Sequence, residues 1–158
     1  MIQIIDNFLP EEEFKSIQSF MMGGEFRWFY AKGRVTKDDG EFHMVHMFFQ
    51  PEIGGNSEHL PIWNTFMNKV EAKKCERIKA NLTFKTPTHE STTYHSDYLD
   101  MKTAIFYINT NNGFTRFKNG ETINSEKNKL LKFNSNLEHG GSTCTDTNVR
   151  IVINFNYE

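Results

Sequence analysis

The chain has 158 residues, with 18 Lys and Arg against 20 Asp and Glu and a formal net charge of −2. That balance offers no polycationic surface for nucleic acid, and no apolar run approaches membrane-spanning length. Met1-Ile2-Gln3-Ile4-Ile5-Asp6 lacks the basic and apolar regions of an export signal, so one domain over residues 1–158 in a reducing, cytoplasmic setting is expected.

Residues 2–5 are apolar and β-branched apart from Gln3, and Asp6-Asn7 then breaks the run, which predicts a short strand and a turn. A helix should follow. Pro10 stands near its first turn, Glu11, Glu12 and Glu13 face its positive end, and Phe14, Ile17, Phe20 and Met21 recur at helical spacing until Gly23-Gly24. Residues 26–30 and 42–49 read as strands around a Lys37-Asp38-Asp39-Gly40 turn. His43 and His46 would point to opposite faces of the second strand, so they make no chelating pair and are expected to be ordinary strand side chains. Arg34, in the intervening loop, is expected to be solvated. After a turn-rich connection over 51–56, Ser57 can cap a second helix running to about Cys75, with Leu60, Trp63, Phe66, Met67 and Val70 as its apolar stripe.

Beyond Arg77 the chain reads as strands and turns. Ile78, Ala80, Leu82 and Phe84 alternate with Arg77, Lys79, Asn81 and Thr83, the pattern of a sheet packed on one face. A polar loop over 86–93 holds His89. Strands are then expected at 94–98, 103–109, 114–117, 130–133, 137–139 and 149–157, with a turn at Asn111-Asn112-Gly113 and a hairpin signal at Lys118-Asn119-Gly120. The fold class is therefore mainly β with N-terminal helices (α+β): a compact β-sandwich or jelly roll over 77–158, buttressed by residues 1–76. Fifteen Phe, five Tyr and two Trp make its core aromatic. Cys75 and Cys144 match neither a disulfide framework nor a zinc motif.

Three separated points carry chemistry: Tyr94-His95-Ser96-Asp97-Tyr98, His139-Gly140-Gly141 and Arg150. On a strand, His95 and Asp97 project to one side. His139 is the natural third ligand for a facial set of two imidazoles and one carboxylate, which suits non-haem Fe(II). Arg150 would share a face with Val152, Asn154 and Asn156, and its guanidinium fork suits a carboxylate ligand. Taken singly, each His reads as a hydrogen-bonded core residue and the Asp as a cap; the ordered set of four favours a site.

This order of His-x-Asp, distal His and later Arg resembles the Fe(II)- and 2-oxoglutarate-dependent dioxygenases, especially their prolyl 4-hydroxylase-like branch. Thr-Ala-Ile-Phe-Tyr-Ile-Asn over 103–109 resembles the strand after the His-x-Asp there, and Gly113-Phe114-Thr115-Arg116-Phe117 resembles its Gly-x-Thr-x-Phe turn. Ile4-Ile5-Asp6-Asn7-Phe8-Leu9, followed by an acidic helix, resembles the start of that branch. The resemblance implies a double-stranded β-helix, with Fe(II) on His95, Asp97 and His139, 2-oxoglutarate as cosubstrate, and O2. It implies that the far carboxylate of 2-oxoglutarate meets Arg150 and the Tyr107 hydroxyl, with Asn81 near it where many members carry a tyrosine. The implied reaction hydroxylates an unactivated C–H bond, giving succinate and CO2, with a peptidyl proline as default substrate. Peptides or small molecules are thus the expected partners, and substrate would be read by Trp28, Phe29, Tyr30 and the loops over 31–41 and 86–93. An oxidative nucleobase demethylase is the alternative on this scaffold, against which the near-neutral charge weighs. The other alternative is a jelly-roll binding module without turnover.

Overall fold

The computed structural model describes residues 1–52 and 58–158 and places ten strands and two helices among them. In chain order these are β1 (Gln3–Ile5), α1 (Glu11–Met22), β2 (Phe29–Lys32), β3 (Phe42–Phe49), α2 (Ile62–Lys69), β4 (Cys75–Phe84), β5 (Lys102–Tyr107), β6 (Phe114–Phe117), β7 (Thr122–Asn124), β8 (Lys129–Asn134), β9 (His139–Gly141) and β10 (Val149–Tyr157). A seven-stranded sheet has the order β1-β8-β5-β10-β4-β3-β2, and a three-stranded sheet has the order β7-β6-β9. Every pairing is antiparallel.

The chain alternates between the sheets. After β5 it crosses to β6 and β7, returns for β8, crosses again for β9, and returns to insert β10 between β4 and β5. This winding is that of a double-stranded β-helix, the expected jelly roll. No helix among the described residues is long and apolar enough to cross a membrane.

Pro10 occupies the N-cap position of α1, which carries Glu11, Glu12 and Glu13 in its first turn and buries Phe14, Ile17 and Met21. Its end at Gly23 is extended (φ −81°, ψ 168°), so the glycine is required there by space: a Cβ would lie 2.9 Å from the Ser19 carbonyl oxygen. The second helix is shorter than its periodicity suggested. It begins after Pro61 and ends at Lys69; the expected cap, Ser57, lies outside the described residues. Lys73, Lys74 and Cys75 leave the helix because the chain end competes for their backbone, with the Lys73 N–H donating to the Glu158 carbonyl, the Glu158 N–H to that of Lys74, and Cys75 paired with Tyr157. The first aromatic strand also sits later than expected, at Phe29–Lys32 rather than 26–30, since Phe26 turns into the packing against Phe48 and His46 and Trp28 packs on Phe26.

The helices cover one face of the large sheet. Phe66 of α2 stacks on Phe155 of β10 at 3.9 Å and 10°, and meets Phe106 edge-on at 5.3 Å. Phe14, Trp63, Ile78, Ala80, Ile153 and Phe155 belong to the same core. Such aromatic pairs add roughly 0.5–1.5 kcal/mol each beyond area burial. A smaller apolar cluster of Ile105, Tyr107, Phe117, Ile123, Leu131, Phe133 and Val152 lies on the other face, between the sheets. The alternation along β4 thus has a different meaning from the expected one. Ile78, Ala80 and Leu82 meet the helices, but Arg77, Lys79, Asn81 and Thr83 turn toward an internal cavity rather than to water. Phe84, at the strand end, is 44% exposed.

Candidate active site

Four strands of the large sheet present polar residues to the space between the sheets. Register places Arg77 beside Asn156, Lys79 beside Asn154, Asn81 beside Val152 and Thr83 beside Arg150. On the other side of β10, Asn156 pairs with Thr103 and Asn154 with Ile105. The resulting cavity, about 440 Å³, is closed opposite by Thr92, His95, Asp97, Thr115, His139 and Gly141.

His95 and Asp97 do not lie on a regular strand, as expected, but on an extended segment held by isolated contacts. His95 exchanges two backbone hydrogen bonds with His139, at 3.0 and 2.9 Å, and the Asp97 N–H donates to the Ser135 carbonyl at 3.2 Å. A few bonds suffice to keep both side chains on one side. One ligand atom from each of His95, Asp97 and His139 lies within 4.8 Å of the others. Both imidazoles are oriented alike: Nδ1 faces the carbonyl two residues earlier, Thr93 for His95 at 3.2 Å and Leu137 for His139 at 3.0 Å. That arrangement makes Nδ1 the protonated nitrogen and leaves Nε2 with a lone pair for a metal.

Asp97 is anchored from three strands. Arg77 donates to Oδ1 at 3.2 Å, while Thr103 and Asn156 each donate to Oδ2 at 3.0 Å. Burial alone would raise its pKa, but Arg77, the neighbouring His139 and these hydrogen bonds outweigh it and hold the carboxyl below its ordinary value. Burial pushes His139 below the ordinary imidazole value despite the attraction of Asp97. A carboxylate and neutral imidazoles are the protonation states that metal binding needs. The donor set, its convergence and its fixed tautomers therefore fit a divalent transition metal such as Fe(II).

Arg150 closes the other end of the cavity and is 5% exposed. It donates to the Ser125 hydroxyl at 2.7 Å and the Thr115 hydroxyl at 3.2 Å, beside the Tyr107 ring. These partners are neutral, and among the described residues no carboxylate pairs with it. A buried guanidinium so placed costs free energy unless an anion completes it. Tyr107 is fully buried, its phenol kept protonated by burial and donating to Thr115 at 2.8 Å. Its hydroxyl and Arg150 thus converge on one threonine. Asn81 lines the cavity with Oδ1 3.2 Å from His43 Nε2. Thr83 Oγ1, Asn154 Oδ1 and His43 Nδ1 also belong to cavity-lining residues and are buried without a partner of hydrogen-bonding geometry.

Five of the six expected site residues, His95, Asp97, His139, Arg150 and Asn81, line one cavity, whereas Tyr107 is buried behind it and meets its wall through Thr115. The structure also adds several that sequence reasoning missed. Thr103 and Asn156 support Asp97, and Thr115 and Ser125 support Arg150. Their signal was parity: Thr103 shares a strand face with Tyr107, and Asn156 with Arg150. His43 is no ordinary strand side chain, since it lines the cavity, whereas His46 packs on Phe26 and Phe48 across the sheet. Arg34 is not solvated either; its side chain is 7% exposed, pairs with Glu41 at 3.3 Å and reaches the Gly141 carbonyl at 3.3 Å. His89 stays in its exposed loop, 3.2 Å from Asn112.

Neither a scan of protein-family models nor a search of curated proteins gives a match. Solved structures do match over nearly the whole chain. A prolyl hydroxylase from Trichoplax adhaerens, in complex with a hypoxia inducible factor oxygen degradation domain peptide fragment, is 12% identical with a TM-score of 0.68 and covers 99% of this chain and 82% of its own. An oxidoreductase of the 2OG-Fe(II) oxygenase family from Burkholderia pseudomallei is 10% identical with a TM-score of 0.70, covering 99% and 85%. A Pseudomonas putida prolyl-4-hydroxylase is 12% identical with a TM-score of 0.67, covering 99% and 92%. Strand order, winding and these likenesses agree, and the chain has the double-stranded β-helix fold seen in prolyl hydroxylases and 2-oxoglutarate–Fe(II) oxygenases.

Proposed function

We propose that this protein is an Fe(II)- and 2-oxoglutarate-dependent dioxygenase that hydroxylates an unactivated C–H bond. One observation carries the reading: a buried arginine without an acidic partner faces the same cavity as a converging His-Asp-His set. His95, Asp97 and His139 would hold the metal, and Arg150 would receive the far carboxylate of 2-oxoglutarate as a charge-assisted pair. When bound, the metal and cosubstrate supply the oxidation of C–H to alcohol by O2, with succinate and CO2 as co-products. The chain's own contribution is positional. Thr103, Asn156 and Arg77 keep Asp97 ionised and oriented, the Thr93 and Leu137 carbonyls set the imidazole tautomers, and Tyr107, through Thr115, fixes the Arg150 end. No side chain is asked to move a proton.

The default substrate is a peptidyl proline, supported by the prolyl hydroxylases of the same fold, one of them with a peptide bound. The test begins with an anaerobic titration of the protein with Fe(II) and then 2-oxoglutarate, followed by the visible charge-transfer band of the chelate. A band in the wild type that is absent in Asp97→Ala supports the reading. No band, together with no succinate after oxygen is admitted, overturns it. Proline-containing peptides gaining one oxygen by mass spectrometry would then support the substrate class, and unchanged peptide masses alongside active succinate formation would discard it.

A further inference from the structure

The loop between β2 and β3 is built around one carboxylate. Asp39 accepts the N–H groups of Arg34, Val35, Thr36 and Glu41 at 2.8–3.0 Å, and this set of backbone donors, Val35 foremost, holds its carboxyl well below the usual range. The Gly33 N–H closes the loop onto the Glu41 carbonyl at 2.7 Å. Gly33 has φ +82°, and a Cβ there would run into the Thr36 carbonyl, so the turn needs glycine. The consequence is a fixed starting point for the Arg34 side chain.

Arg34 reaches from that loop across the cavity to the small sheet. Its guanidinium meets the Gly141 carbonyl at 3.3 Å, two residues after His139. Arg150 approaches the same glycine from the large sheet: its Nη1 lies 3.4 Å from the place where a Gly141 Cβ would stand. Two largely buried guanidinium groups therefore flank one backbone position, at the cavity end away from Arg77 and Lys79. Like charges this close oppose each other, and the nearby carboxylates, Glu41 first and then Glu90 and Asp39, offset Arg34 while none of them offsets Arg150. Arg34 has five N–H donors, of which the Gly141 carbonyl takes one while Glu41 lies 3.3 Å from Nη1 as an ion pair, and it lines the cavity. An anion between the arginines would relieve the repulsion and use the remaining donors.

We propose that Arg34 is a second specificity-determining residue for the far carboxylate of the cosubstrate, closing over it from the β2–β3 loop while Arg150 holds it from below. This rests on the oxygenase reading. It also restricts the cosubstrate to 2-oxo dicarboxylates, because a 2-oxo acid with an apolar tail would leave both guanidinium groups unmatched.

The experiment compares two probes in the anaerobic chelate titration: 2-oxoglutarate and 2-oxopentanoate, which keeps the 2-oxo acid head and replaces the far carboxylate by a methyl group. Arg34→Gln keeps a donor for the Gly141 carbonyl and removes the charge; Arg34→Met removes both. A charge-assisted bond predicts that each variant binds 2-oxoglutarate about tenfold more weakly and 2-oxopentanoate within about twofold of wild type. Should Arg34→Met not fold, Arg34→Gln decides. Unchanged affinity for 2-oxoglutarate, or an equal loss for both probes, overturns the assignment of Arg34 alone. A wild type that gives no band with either probe overturns the oxygenase reading and this inference with it.

Discussion

Replacing Arg150 with Met should weaken the site and spare or strengthen the fold. The guanidinium is buried, its partners are the Ser125 and Thr115 hydroxyls, and no carboxylate among the described residues offsets its charge. Losing those two hydrogen bonds costs about 1 kcal/mol each. Against this, exchanging an uncompensated buried charge for an apolar side chain of similar length gains about 1–4 kcal/mol. Thr115 keeps its bond from Tyr107, so the metal-free protein should lie between about 1 kcal/mol less and about 2 kcal/mol more stable. At this chain length 1 kcal/mol corresponds to about 2–4 °C, so Tm should fall by no more than about 4 °C and can rise by a few degrees. Binding moves the other way. A charge-assisted pair of about 1.5–3 kcal/mol predicts a roughly 10- to 150-fold weaker Kd for 2-oxoglutarate, with Fe(II) affinity retained. Thermal unfolding of the metal-free protein and the chelate titration read the two effects separately. A fall in Tm by more than about 5 °C with unaltered 2-oxoglutarate affinity would make Arg150 a structural residue and refute the reasoning.

Thr103→Val keeps shape but removes the hydroxyl that donates to Asp97 at 3.0 Å; Fe(II) affinity should fall about tenfold or more in a metal titration, with the far-ultraviolet spectrum unchanged. Burial, with Lys79 and Arg34 nearby, lowers His43 to about 4. The unfolded chain takes up that proton near pH 6.5 and the folded protein only near 4, so this contribution to stability is complete above pH 6.5 and is lost as pH falls toward 4. The loss should reach at most about 3 kcal/mol, and urea unfolding at pH 7 and 4.5 should show a smaller difference for His43→Gln than for wild type. In Gly113→Ala a Cβ would lie 2.6 Å from Arg150 Cδ and 2.8 Å from Asn111 Oδ1, displacing the arginine stem. Isothermal titration should show 2-oxoglutarate several-fold weaker while the Fe(II) midpoint holds.

Much of the site was legible because its residue types are scarce and ordered. Two histidines, one aspartate and one arginine at these separations restrict the chemistry before any fold is known, and the parity of Arg150, Val152, Asn154 and Asn156 already shows one polar face on an otherwise apolar strand. The helix over 62–69 was legible in kind but not in length, since the expected run to about Cys75 takes in residues that pair through their backbone with Tyr157 and Glu158. The His-x-Asp segment was expected to be a strand, yet it keeps its geometry through a bridge and single hydrogen bonds.

The sequence by itself determined the donor set, the apolar phase of β4 and β10, and the turns at Gly40 and Gly120, whose positive φ only a residue without a Cβ adopts freely. Tertiary structure decided what each strand face meets. Period-two alternation says that Arg77, Lys79, Asn81 and Thr83 share a side, but whether that side is water or a cavity depends on a second sheet built from residues 114–141. For the same reason Arg34 and His43 looked ordinary: each meets the site through residues 38 to 107 positions away, and no local pattern encodes such a contact.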